Sequence, residues 1–522
     1  MNNNLNKVKY EEPCDGRLSS TVPREGRGET PRHLLNRIRL SFVALAAFAA
    51  LVLSCGRVGE QVGFDESTVV LSVGAVSDVH INTGLPVTSQ KWESALRQLV
   101  AKAAESDPDG LDGVLVAGDL IDYPNDPAIQ EFKRVYESVM DPDKVPLIYT
   151  VGNHDVPDYR WSETMVADAK YLRNAFGDNY FQTDLDKEAG ERLECRHCVV
   201  GDYDIIAISP DGTSPVVYDP KALKWLDKTL SEITSKNPSR YVILITHPML
   251  YDTVYGSLLG EADGIWKSYL PGYWATRELP EILSKYPQVV AFGGHLHFPL
   301  NDPRSVWQGS FTALGCASVR YMALEAGGYE DMAGQTTMRD KDEFSQGNLV
   351  QFDKKGNMRI FRMDFYNKAV IGDPLVMGRP TKNRRHLEKY SFTRKKALNN
   401  APELSTLDVS VKTSPILWKK DPAWIAVGFP AAADDEFVHH YEVSLSRDGK
   451  VLCTKKILAD FYKHPDPARM KSSWDLTFTV EDLPEDYVSA DNQILPGRYT
   501  VSLTAFDSWD AESETLTKEI EI

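Results

Sequence analysis

Five short clusters of histidine and aspartate are spread over about 220 residues: Asp78 and His80 in SDVH, Asp119 and Asp122 in AGDLID, and Asn153, His154 and Asp155 in VGNHD, followed by His247 in ITHPM and His295 with His297 in GGHLHF. They hold five of the chain's 11 histidines. Carboxylate oxygens and neutral imidazole nitrogens are ordinary ligands for divalent Zn, Mn and Fe. Brought together with nothing between them, these groups would repel or shift one another's pKa strongly. One ion takes about four to six ligands, so the set is large enough for two. A shared carboxylate can bridge ions about 4 Å apart, the spacing of two-metal hydrolytic sites. Each motif alone is weak; the ordered set is not.

For residues so far apart to meet, the fold must gather them. Each cluster ends an apolar run: TVVLSVGAV, GVLVA, VPLIYT, RYVILIT and PQVVAF. These Val/Ile-rich runs lack a period-two polar face, as expected of strands covered on both sides. Helices are expected between them over Ser89–Glu105, with Trp92, Leu96, Leu99 and Val100 on one face, and over Pro127–Met140, Lys221–Ser235 and Arg277–Lys285. Strands alternating with helices imply an α/β architecture with largely parallel strands. In such sheets the carboxyl ends of the strands face one edge, where ligands bind. The Gly293-Gly294 pair breaks the last strand into a loop, so the rings of His295 and His297 can diverge.

From about Val69 to Phe365 the chain is similar to the calcineurin-like metallophosphoesterases, with DxH, GDxxD, GNHD, H and GHxH all present in order. The resemblance implies two packed mixed β-sheets flanked by helices, with a dinuclear centre at one edge. It implies that Asp78, His80 and His297 hold one ion, that Asn153, His247 and His295 hold a second, and that Asp119 bridges them. His154 is then a general acid or phosphate contact, with Asp155 hydrogen-bonded behind it. The two divalent ions come from Mn, Fe, Zn, Co and Ni, whose ligand preferences overlap. The reaction implied is attack by a metal-bridging hydroxide on a phosphodiester or phosphomonoester of a small molecule, nucleotide or lipid headgroup. Asp122 stands where purple acid phosphatases carry their tyrosine, so a purple ferric enzyme is not expected. Two rivals stay open: a metal-depleted scaffold of the same fold, and a surface glycan-binding protein using the C-terminal part.

Beyond Ala401 short alternating segments such as WIAVGFP, HYEVSLSRDGKVL and GRYTVSLTAFD suggest a small all-β sandwich, resembling immunoglobulin-like or fibronectin type III modules. The domains expected are a 1–54 N-terminal extension and lipoprotein-type signal, a 65–370 phosphoesterase domain, a 371–400 linker and a 401–522 sandwich. Arg32, Arg37 and Arg39 precede the apolar run SFVALAAFAALVLSC, too short to span a bilayer as a helix. Its end, Val52 to Cys55, resembles a bacterial lipoprotein box, with a plain signal peptide or an uncleaved anchor as alternatives. The expectation is an exported lipoprotein, periplasmic or at the cell surface, held to the membrane through Cys55. Net charge of −17 excludes a general nucleic-acid partner. Cys195 and Cys198 are read as a local disulfide, as suits an exported protein. Tyr159, Trp161, Tyr251, Tyr255, Trp266, Tyr273 and Trp274 could line a substrate site, and Arg304 and Arg320 could contact phosphate.

Overall fold

The computed structural model describes residues 63–155, 195–211, 214–257, 274–324, 329–330, 340–413 and 423–522. The expected signal, Cys55, Tyr159, Trp161, Trp266 and Tyr273 lie outside the described residues. Among the described residues no helix is long and apolar enough to cross a membrane.

The chain begins with three parallel strands, β1 (Val69–Val76), β2 (Gly113–Ala117) and β3 (Leu147–Thr150), joined by α1 (Val87–Ala103) and α2 (Asp126–Val139). Asn125 caps α2 by accepting from the Ala128 amide at 2.8 Å, and Pro127 fills the first turn. Next come β4 (Cys195–Val200), β5 (Tyr203–Ile208), α3 (Pro220–Lys236), β6 (Val242–Thr246), the short pair β7 (Met249–Leu250) and β8 (Ala275–Thr276), α4 (Glu278–Leu283) and β9 (Val289–Gly293). The run continues through β10 (Val306–Gln308), β11 (Thr312–Gly315), β12 (Gln346–Asp353), β13 (Met358–Asp364), β14 (Ala369–Val370) and β15 (Leu375–Met377) to α5 (Phe392–Leu398). The four expected helices sit within two residues of their expected bounds, whereas α5 lies in the stretch expected to be a linker.

The strands form two sheets. One runs β14-β13-β12-β1-β2-β3, with β15 also on β13; the other runs β10-β11-β9-β6-β5-β4. Both are mixed. The strands carrying the motifs are parallel, whereas β12, β13, β4 and β10 pair antiparallel, which corrects the expectation of a largely parallel sheet. Leu71, Val73, Leu115, Ile243, Ile245 and Phe292 fill the layer between the sheets. The outer face of the first sheet packs on α1 and α2 through Trp92, Leu96, Phe132 and Tyr136. That of the second packs on α3 and α4 through Trp225, Leu226, Leu279 and Leu283. Continuous apolar strands are the natural sequence for such a four-layer core.

Asp112, just before β2, accepts from the Ser72 amide at 2.7 Å, and burial pushes its carboxyl up to about 6. A folded pKa above the unfolded value contributes stability at low pH that is lost as pH rises through the folded pKa. Asp112→Asn keeps an acceptor for Ser72 but removes this dependence. Its melting temperature should exceed the parent's at pH 8 by more than at pH 4, as read by calorimetry.

The C-terminal part holds β16 (Asp408–Lys412), β17 (Trp424–Pro430), β18 (Val438–Arg447), β19 (Lys450–Leu458), β20 (Ser473–Phe478), β21 (Arg498–Asp507) and β22 (Leu516–Glu521). They make a three-stranded sheet, β16-β17-β20, and a four-stranded one, β19-β18-β21-β22. Alternate residues, including Ile425, Val427, Tyr441, Val443, Val501 and Leu503, turn inward into one cluster. That cluster also takes in Leu300, Ala317, Met322 and Phe344 from loops of the first part. Residues 371–400 are ordered: β15 extends a sheet, and Asn399 Nδ2 donates to Asp507 at 2.6 Å.

Cys195 and Cys198 are not joined in a disulfide. They stand three positions apart on β4, so their side chains leave opposite faces of the strand. Cys195 is buried in the layer under α3, and Cys198 packs into the layer between the sheets. The expected disulfide is thereby corrected: its spacing suits a turn, and here it falls on a strand.

Candidate metal centre

All five motifs converge at the carboxyl ends of β1, β2, β3, β6 and β9, where the two sheets share an edge. The loops after β1 and β2 run side by side, with the amides of Asp78, His80 and Ile81 donating to the carbonyls of Gly118, Asp119 and Leu120 at 3.0–3.1 Å. Asp78, His80, Asp119, His295 and His297 all have positive φ, between 48 and 66°. That conformation costs a non-glycine residue on the order of 1–2 kcal/mol. Strain of this kind persists where the surroundings enforce it, and it clusters at functional sites.

Asp78, His80, Asp119 and His297 present ligand atoms lying within 4.8 Å of one another, and so do Asp119, His247 and His295. All six residues are buried. Asp119 belongs to both groups. Its Oδ2 lies 3.7 Å from His80 Nε2 on one side and 3.4 Å from His247 Nε2 on the other. Its Oδ1 accepts from the His154 amide at 2.8 Å.

The tautomers follow from the partners. His247 Nδ1 contacts the Ala117 carbonyl at 2.8 Å and His297 Nδ1 the Tyr321 carbonyl at 3.1 Å. A carbonyl only accepts, so both Nδ1 atoms carry the proton and, in the neutral ring, each Nε2 keeps a lone pair. His247 Nε2 then faces Asn153 Oδ1 at 2.9 Å and His295 Nδ1 at 3.1 Å. His297 Nε2 faces Asp78 Oδ1 at 2.8 Å and His80 Nε2 at 3.4 Å. The His297 Nε2 lone pair set against a buried Asp78 oxygen is relieved by an added proton or by a cation. Ligand type, number and convergence on two foci fit two divalent ions.

Burial lowers the pKa of His80, but hydrogen bonds that its ring donates to Asp122 and Asp78, with the charge of Asp119, outweigh it and push the ring up to about 10. Burial likewise opposes ionisation of Asp78, yet His297 and His80 hold it well below the carboxylate range.

Asp155 departs from its expected place. It accepts from the amides of Leu120 (2.8 Å), Ile121 (3.2 Å) and Gly152 (2.8 Å), so it fastens the second-motif loop to the third. The group behind His154 is Asp122: its carbonyl takes the His154 Nδ1 proton at 2.8 Å, and its carboxylate lies 3.6 Å from His80 Nδ1. A carboxylate against the far nitrogen of a ligating histidine fixes the ring's orientation. The GDxxD spacing was the signal for this role. Tyr321 also lines the centre, its ring 4.3 Å from His297, and nothing in the local sequence marked it.

Of the aromatics singled out, Trp274 stands 4.7 Å from His295, whereas Tyr251 lies under Arg277, and Tyr255 under Arg304. Arg304 pairs with Asp302 at 2.7 Å and Arg320 with Asp342 at 2.6 Å, so both guanidinium groups already have carboxylate partners. Of the four tryptophans a glycan-binding reading could use, Trp474 and Trp509 are buried, Trp424 is half-buried on β17, and Trp418 lies outside the described residues.

Glycines make room at the closest approaches. Gly118 has φ +80°, and a Cβ there would stand 2.5 Å from His247 Nδ1. Gly118→Ala should displace that ring and weaken the ion it serves by on the order of 10–100-fold. Metal titration followed by calorimetry checks this; unchanged affinity would clear Gly118 of any part in the site.

The family model described as calcineurin-like phosphoesterase matches residues 71–299, so that stretch carries such a domain. No curated protein matches the chain. Among solved structures, a purple acid phosphatase isolated from yellow lupin (Lupinus luteus) seeds is 13% identical over 63% of this chain and 57% of its own, with a TM-score of 0.42. A 5'-nucleotidase precursor from Thermus thermophilus is 13% identical over 64% of this chain and 61% of its own, with a TM-score of 0.28. The chain thus spans about 60% of the length of these structures.

Proposed function

We infer that the protein is a dinuclear-metal-dependent phosphoesterase acting on a small phosphate ester, a phosphodiester or phosphomonoester of a small molecule, nucleotide or lipid headgroup. The observation that carries this reading is the pair of buried donor sets sharing Asp119, inside the stretch that matches the phosphoesterase family model. Asp78, His80 and His297 would hold one ion, Asn153, His247 and His295 the other, with Asp119 between them. Bound there, two divalent ions of the Mn, Fe, Zn, Co or Ni type supply positive charge for the phosphoryl oxygens and an acidified water. Asp122 and the carbonyls of Ala117 and Tyr321 hold the ligating rings in place. His154 is a third exposed at its side chain, against almost none for the ligands. With Nδ1 donating to the Asp122 carbonyl, Nε2 is the nitrogen left for the substrate; as an imidazolium the ring would give its Nε2 proton to the leaving alkoxide and return to the neutral form. Asp155 positions the loops and touches no reacting atom.

A complete set of donors favours an enzyme over a metal-depleted scaffold. Export and anchoring through Cys55 complete the reading, supported by the apolar run and the cysteine that ends it. The deciding experiment assays phosphomonoesters, phosphodiesters and nucleotides with each of the five metals, alongside metal analysis of the purified protein. Hydrolysis that needs bound metal and is lost to a chelator supports the reading. A protein that holds no ion, or holds two and cleaves no ester, overturns it.

A further inference from the structure

Charge is unevenly placed on this chain of net −17. At the edge opposite the metal centre, around the loop before β6 and the β12–β13 turn, Lys236, Arg240, Lys354, Lys355 and Arg379 line an open cleft of about 510 Å³. Of its two acidic residues one is buried, and the other, exposed, offsets only Arg240. Asp353 is buried and accepts from the amides of Lys355 and Asn357 at 2.9 Å and Asp65 at 3.1 Å; Asp202 lies 3.7 Å from Arg240. Lys236, Lys354 and Arg379 are exposed, and none pairs with a carboxylate among the described residues. The basic surface continues along the chain that follows. Tyr241 donates to the Gly378 carbonyl and His386 Nε2 to that of Pro287 at 2.9 Å, which pins this segment across the starts of β6 and β9. Lys382, Arg384 and Arg385 are exposed on it.

The first described residues are fixed to this same edge. Gly63 accepts from Asn357 Nδ2 at 3.4 Å, and Phe64 lies 4.4 Å under the Arg359 guanidinium. The sequence puts Cys55, with its preceding apolar run, eight residues before Gly63. That tether is no longer than about 28 Å.

We propose that this basic edge docks on an anionic phospholipid surface, with the metal centre at the other end of the strands turned away from it. Basic groups near an anionic bilayer are attracted within about a Debye length. Donors spread around an open cleft suit a plane of headgroups better than one enclosed phosphate. Among the described residues the one aromatic lining the cleft, Tyr203, is buried, so they offer a nucleic acid no exposed ring there to stack on. The proposal stands whichever ester the centre cleaves.

The test compares the full chain with its Lys236→Glu/Lys354→Glu/Arg379→Glu variant on phosphatidylcholine vesicles with and without phosphatidylglycerol. The apolar amino-terminal run is common to both chains, so the difference between vesicles reports the basic edge. The parent should partition onto the anionic vesicles at least about tenfold better, and the preference should shrink at high salt. The variant should lose most of it while hydrolysing a soluble ester at the parent rate. If the triple variant does not fold, Lys354→Gln and Arg379→Gln should each lower the ratio severalfold. A parent without preference, a folded variant that keeps it, or binding only to a dissolved polyanion such as DNA overturns the proposal.

Discussion

Replacing Asp119 by Asn should leave a folded protein that holds at most one ion and has lost its activity by at least about a thousandfold, on the order of 4 kcal/mol of transition-state stabilisation. The side chain keeps its shape, and its Oδ1 can still accept from the His154 amide, now at 2.8 Å. What disappears is the charged oxygen lying between His80 Nε2 and His247 Nε2. An amide nitrogen in that place has no lone pair to offer. Both donor groups contain this residue, so a single substitution unmakes both at once. Metal analysis and turnover measured on the same sample check the expectation. Two ions retained with near-parental turnover would show that Asp119 does not bridge, and the dinuclear reading would fall with it.

The second large effect is selective. His154→Gln should keep both ions, because no ligand is touched, yet slow hydrolysis of an alkyl phosphate by about 10²–10⁴-fold, the usual contribution of a general acid. A nitrophenyl ester, whose leaving group needs little protonation, should lose far less. The geometry behind this is the third-exposed ring held by the Asp122 carbonyl. Equal losses on the two substrates would make His154 a phosphate contact or a structural residue.

The positions most legible in the sequence were those where a local pattern and a global rule agree. Apolar runs ending in Asp or His marked strand ends, and parallel strands bring such ends to one edge, so all seven expected ligands are found together. The mixed character of the two sheets came from the family resemblance and not from the strand pattern, which suggested parallel strands, because direction depends on where β12 returns from and not on its composition. Asp155 was misplaced because adjacency to His154 suggested a partnership, whereas backbone amides from three residues claim its carboxylate. Tyr321 was invisible: it reaches the centre through a loop 24 residues beyond His297. The CxxC pair misled because the same spacing joins sulfurs in a turn and separates them on a strand.

The apolar cluster that unites Leu300, Ala317 and Met322 with the inward faces of the C-terminal sheets makes the β-rich tail something other than a detachable accessory. His297 and Leu300 share one loop, so an ion held by His297 would also steady residues on which the tail rests. Anything that binds only the folded form raises the stability of all that unfolds with it. Starving the protein of metal should therefore loosen its far end as well as silence its chemistry, and a protease would find the tail before an assay found the missing ions.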